Sequence, residues 1–187
     1  MSRQPTWDSA MAIQSQMFAE TAAIGGLSVQ LMFFRGFGEC QSSKWVNDAK
    51  GLSRLMSKVS CRGGHTQIGR ILSHAVKEAG RRPVSAVVFV GDAMEEDIDS
   101  LAQSAGELGL MKVPVFMFHE GQDRAAEIAF QEIARLSGGA YCRFSASAAD
   151  ELRRLLAAVA VYAAGGQKAL ASRGQDRAAQ ALLKQLP

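Results

Sequence analysis

The 187-residue chain is poor in several things that would have fixed its class at once. It has only three cysteines, Cys40, Cys61 and Cys142, widely separated and odd in number. That excludes a disulfide framework and offers no metal-type Cys pairing, and it leads us to expect a reducing, cytoplasmic setting with the thiols as small buried hydrophobes. The chain lacks a dense Lys/Arg block, and its net charge is only +3, so neither composition nor patterning argues for nucleic acid. No apolar run is long enough to span a bilayer: Leu155 to Gly165 is the longest, and no membrane role is expected. The polar start, Met1 to Asp8, does not read as a signal peptide. Nor is there a Walker-type phosphate loop, a complete Gly-x-Gly-x-x-Gly turn or a Gly-x-Ser-x-Gly nucleophile motif.

What remains is ordinary globular material, 48% hydrophobic and 21% charged, enough for one domain with a substantial core. Apolar spacing predicts a helix over Thr6 to Ile24, stopped by Gly25-Gly26, then a strand over Leu27 to Arg35. Gly36-Phe37-Gly38 marks a turn, and the polar stretch Cys40 to Val46 suits a returning edge strand. Helices are expected over Asp48 to Val59 and Thr66 to Ala79, the second ending at Gly80. Val84 to Val90 is nearly all apolar, as a strand covered on both faces must be. Helix and strand then alternate: helix Glu95 to Leu108, strand Val113 to Phe118, helix Asp123 to Leu136, strand Ala140 to Phe144, helix Ala148 to Ala164. This alternation predicts an α/β fold with a doubly wound, mainly parallel sheet flanked by helices. We take residues 1–165 as the domain and 166–187 as a polar, Ala-rich tail, a loosely attached helix.

In open α/β sheets the functional loops lie beyond the carboxyl ends of the strands. Three such loops stand out: Gly63 to Thr66, Gly91 to Asp97, and His119 to Gly121. Asp92 directly follows the valine-rich strand, and Thr66 opens the helix leading into it. A hydroxyl and a carboxylate converging at a rim suit a hard cation such as Mg²⁺. The same residues serve equally as a helix cap and a turn, which on spacing alone is the more economical reading. His119 and Glu120 are expected at the rim or in a simple turn, and His65 as a loop-shaping residue. His74 is expected to be an ordinary satisfied side chain. Glu95, Glu96, Asp97 and Asp99 read as an acidic helix start favoured by the helix dipole. Trp7, Trp45 and Phe33-Phe34 read as packing residues, and Phe37 and Met94 as exposed contact points at the rim.

Gly63-Gly-His-Thr66-Gln-Ile-Gly-Arg-Ile-Leu72 resembles the second motif of von Willebrand factor A-type domains, a Gly-Gly-x-Thr loop opening a helix. Val88-Phe-Val-Gly-Asp92 is similar to their third motif, with only the Asp of the Thr-Asp-Gly turn matched. Val113-Pro-Val-Phe, and Gln131 to Gly139 followed by Tyr141, resemble the elements that close that fold; the likeness runs from about Ser2 to Ala158. The resemblance implies a Rossmann-like sheet and a metal-ion-dependent adhesion site, with Ser2, Thr66 and Asp92 as ligands to Mg²⁺ or Mn²⁺. It implies a protein–protein interaction module, not an enzyme, that captures an acidic side chain of a partner protein. The family's first strand, which is central in its sheet, and the Asp that strand carries have no counterpart and would lie upstream of Met1. Two alternatives stay open: a metal-free adaptor with a degenerate site, and an Asp-dependent phosphoacceptor or hydrolase built on Asp92.

Overall fold

The computed structural model describes residues 21, 25–59, 64–145 and 149–187. Ser2, Trp7, Cys61 and the helix expected over Thr6 to Ile24, apart from its buried Thr21, lie outside the described residues. The fold is mixed α/β. A hairpin of β1 (Met32–Arg35) and β2 (Glu39–Ser42) forms an antiparallel pair. Helices α1 (Ala49–Met56) and α2 (Ile68–Ala79) follow. Then β3 (Val87–Gly91), α3 (Ile98–Leu110), β4 (Val115–Glu120), α4 (Arg124–Ser137) and β5 (Ala140–Phe144) alternate. The chain closes with α5 (Ala149–Ala171) and α6 (Arg177–Leu183). No helix among the described residues is long and apolar enough to cross a membrane.

The three later strands form a parallel sheet in the order β3-β4-β5. Side chains of β4 alternate between two cores, as the two-residue period of a strand requires. Val115 and Met117 pack with α2, α3 and α4, whereas Phe116 and Phe118 pack with α5 and α6. All six residues of β4 are buried, which accounts for the unbroken apolar reading of Val115 to Phe118. The sheet is therefore covered by helices on both faces, as expected. Among the described residues the hairpin β1-β2 forms a sheet of its own, separate from the parallel one.

Helix ends follow local chemistry. Asp48, Asp97, Asp123 and Asp176 each cap a helix by accepting a backbone N–H of its first turn. Helix α4 ends at Gly138 in the left-handed conformation (φ 71°), the favoured stop for which glycine carries no Cβ penalty. The expected loose tail is instead docked. Gly166, with φ 69° and ψ −168°, breaks α5, and the chain then folds back so that Leu170, Ala179 and Leu182 are fully buried beside Phe116 and Phe118. Gln185 pins it, accepting from Tyr141 N–H and donating to Tyr141 C=O, both at 2.9 Å. The Ala-rich composition of this stretch, read as weak attachment, is what lets a short helix approach the sheet closely.

Candidate functional site at the carboxyl end of the sheet

The two carried-over ligands that are described lie together at the carboxyl end of β3. Thr66, nearly buried, precedes α2, and Asp92 is the first residue after β3. The link between them is Glu95. Its Oε2 accepts from the Thr66 hydroxyl at 2.6 Å and from the Thr66 N–H at 3.0 Å, while Thr66 Oγ1 accepts weakly from the Glu95 N–H at 3.3 Å. The Thr66 side-chain bond, then its backbone bond, hold the Glu95 carboxyl below the usual carboxylate range, with His65 adding to the shift and Asp92 opposing it. Two carboxylates and a hydroxyl thus share one rim.

This corrects the reading of the acidic cluster. Only Asp97 and Asp99 belong to the start of α3, as its cap and in its first turn. Glu95 and Glu96 lie in the loop before that cap and reach across to the start of α2. Glu96 accepts from Ile68 N–H at 2.5 Å and Gly69 N–H at 3.0 Å, supplying the anionic cap that Gln67 does not. The spacing Asp97-x-x-Ser100 was the available signal: it fixes the cap of α3 at Asp97, two residues beyond Glu95.

The hairpin turn closes over the same end. Gly36 (φ 59°) forms a parallel bridge with Gly64, and a Cβ on Gly64 would collide with the Gly36 backbone, so the contact needs glycine. Arg70 donates to Gly38 C=O at 2.6 Å, tying the turn to α2. Phe37 is 87% exposed and lies against His65, ring centroids 5.1 Å apart. Met94, expected to be exposed, instead packs against the main core.

His119 and Glu120 end β4 at its carboxyl end, as one of the two expectations had it; they are not turn residues, and they are buried. His119 Nδ1 shares a 2.9 Å hydrogen bond with the Tyr141 hydroxyl, its ring lies edge-on to Phe130, and Nε2 has no partner among the described residues. Burial pushes its pKa down, and nearby Arg143 pushes it the same way, so a neutral imidazole is favoured. Both Glu120 carboxylate oxygens are buried without a hydrogen bond among the described residues. The remaining expectations hold: His74 is satisfied by Gln30 (2.9 Å), Trp45 by Glu78 (3.0 Å), and Phe34 stacks on Phe89. Cys40 and Cys142 are free thiols of intermediate burial, less enclosed than the buried hydrophobes expected, and burial raises both pKa values, Cys142 to about 11.

No family model matches this chain, and no curated protein matches it either.

The donors present can be judged against a hard cation. Thr66, Asp92 and Glu95 offer oxygen atoms only, the chemistry Mg²⁺ prefers. Against this, the Thr66 hydroxyl is already engaged by Glu95, and among the described residues no cluster of three His, Cys, Asp or Glu is arranged to hold a metal. The donor type fits; the number of anionic ligands is low.

A cleft of about 580 Å³ opens from this rim and runs between β1 and β3. Thr66, Asp92 and Glu95 line its mouth, and Glu78 lines it too.

Proposed function

We propose that this chain is a protein–protein interaction module of the von Willebrand A type, whose rim at the end of β3 captures an acidic group of a partner through a divalent cation. Mg²⁺ or Mn²⁺ would be held by Thr66 and Asp92, with Ser2 as the further ligand that the resemblance implies. The observation carrying this reading is the direct bonding of Thr66 to the loop that bears Asp92, which joins the second and third motifs at one point. Among the described residues the hairpin and the parallel sheet are separate and a cleft is lined by both β1 and β3, which also supports it. The cation would bridge to the partner's carboxylate; the protein's residues would only orient it.

One observation favours a second reading, a metal-free adaptor: Glu95 already satisfies the Thr66 hydroxyl and N–H that the cation would otherwise organise. Calorimetric titration with Mg²⁺ and Mn²⁺ separates the two. On the first reading at least one ion binds, and Asp92→Ala abolishes the heat while leaving the circular dichroism spectrum intact. Absence of binding at millimolar concentrations of both ions rules out the metal bridge and leaves the adaptor.

A further inference from the structure

A second concavity, of about 450 Å³, lies between β2 and α2. It shares only Met32 and His74 with the cleft described above, and no residue of β3 lines it. On β2, Ser42 falls on the same face as Cys40, which packs toward the core containing Ile68 and Ile71 of α2. From the helix come Arg70, Ser73 and Lys77, spaced i, i+3 and i+7 and so on one side of α2. All three are exposed, and so is Ser42. A helical stripe of donors thus faces a hydroxyl on the strand.

The charged residues in this recess are of one sign. Arg70 and Lys77 line it, and no Asp or Glu does. Among the described residues neither cation is in an ion pair. The adjoining carboxylates are engaged elsewhere, Glu39 with Arg35 at 2.6 Å and Glu96 with the Gly69 N–H at 3.0 Å. Arg70 donates from Nη1 alone, to Gly38 C=O and to Gln67 Oε1, and these two bonds hold the guanidinium in place. Its Nε and Nη2 have no hydrogen-bond partner among the described residues. Lys77 follows two turns later, a rise of about 10 Å, with Ser73 midway between the two cations.

Two cations and two hydroxyls call for a ligand group with several acceptor oxygens and more than one negative charge. A phosphoryl group has three such oxygens, carries about −1.5 to −2 near neutral pH, and accepts an arginine fork. The recess is larger than that group alone requires and falls within the range of small-molecule sites, about 300–1,000 Å³. Met32 and Cys40 supply it with an apolar wall. The phosphoryl group is therefore carried on an organic body.

We propose that the recess between β2 and α2 binds a phosphate monoester, its oxygens held by Arg70, Ser73 and Lys77 from the helix and by Ser42 from the strand. The group arrives on a small metabolite or on a phosphorylated side chain of a partner, and the chemistry recognised is the same. The site is separate from the rim and needs no cation.

The full chain is titrated in EDTA with inorganic phosphate, O-phosphoserine and a capped Ala-phosphoserine-Ala tripeptide, followed by ¹H–¹⁵N NMR at about 150 mM salt. Saturable shifts are expected at the amides of 40–42 and 69–77. Lys77→Gln is expected to weaken binding about tenfold, and Ser73→Ala by a smaller factor. Arg70→Lys keeps the charge and loses the planar fork, and should also weaken binding about tenfold. Because Arg70 also ties the hairpin turn, the exposed positions Lys77 and Ser73 decide if that variant is perturbed. Tighter binding of the tripeptide assigns the site to a partner's phosphorylated side chain, and tighter binding of O-phosphoserine to a metabolite. The proposal is overturned if none of the three probes saturates, or if acetate moves the same amides with equal affinity. It is overturned equally if Lys77→Gln and Ser73→Ala bind as tightly as the parent chain.

Discussion

Strands β3 and β4 are neighbours in one sheet, yet they live in different environments. Strand β4 is paired on both edges and buried at every residue. Among the described residues strand β3 is paired only with β4, and Val88 is 38% exposed at the cleft. Both read as unbroken apolar runs. A run of this kind reports that helices cover both faces of a strand, but it is silent about the strand's edges. The burial of β4 is a stability matter, settled by packing. Among the described residues the other edge of β3 has no strand partner, and the same apolar character at such an edge is a liability in a free domain.

The sharpest way to test the contrast is on the closed side. Phe118 is fully buried between the sheet and the α5–α6 layer. Phe118→Ala is expected to cost about 3–5 kcal/mol, read from urea denaturation, because a close-packed site collapses poorly around a missing ring. A loss below about 1 kcal/mol would mean that this side is as loosely packed as the cleft side.

Next comes the docked tail. If 177–183 is part of the same closed layer, Leu182→Ala should cost about 2–4 kcal/mol and expose the tail to limited proteolysis. A neutral result would return this segment to the status of an appendage. Leu182 is fully exposed to this test because it meets the core directly, within the same cluster as Phe116 and Phe144.

Much of this arrangement was legible in the sequence, for identifiable reasons. The β3-α3-β4-α4-β5 succession follows from period and punctuation: Asp97 and Asp123 as caps, Gly138 as a stop, and valine- and phenylalanine-rich runs between them. The convergence of Thr66 and Asp92 was visible too, since both flank elements whose ends a doubly wound sheet gathers on one side. What could not be read were contacts between loops. Glu95 and Glu96 lie next to a helix start in sequence but bond 27 to 29 residues back, at and just ahead of the start of the preceding helix. Burial of His119 and Glu120 was hidden for a related reason. Polar residues at a strand end are ordinarily exposed, and only the later return of β5, which pairs His119 with Arg143 and Glu120 with Phe144, closes over them. The docking of 177–183 was missed because alanine-rich helices give little periodic signal, although small side chains suit close packing.

The subtlest test puts one substitution on both strands. Val115 is completely buried on β4, whereas Val88 stands on the open edge of β3. Valine to threonine keeps the shape and the β-branching that suits a strand, and exchanges a methyl for a hydroxyl. At Val115 that hydroxyl must leave water for the core that includes Ile133 and Met117, and Val115→Thr is expected to cost about 1–3 kcal/mol. At Val88 the hydroxyl keeps access to solvent, and Val88→Thr should change stability by no more than about 0.5 kcal/mol. Equal costs at the two positions would mean that the Val88 side chain is as enclosed as that of Val115.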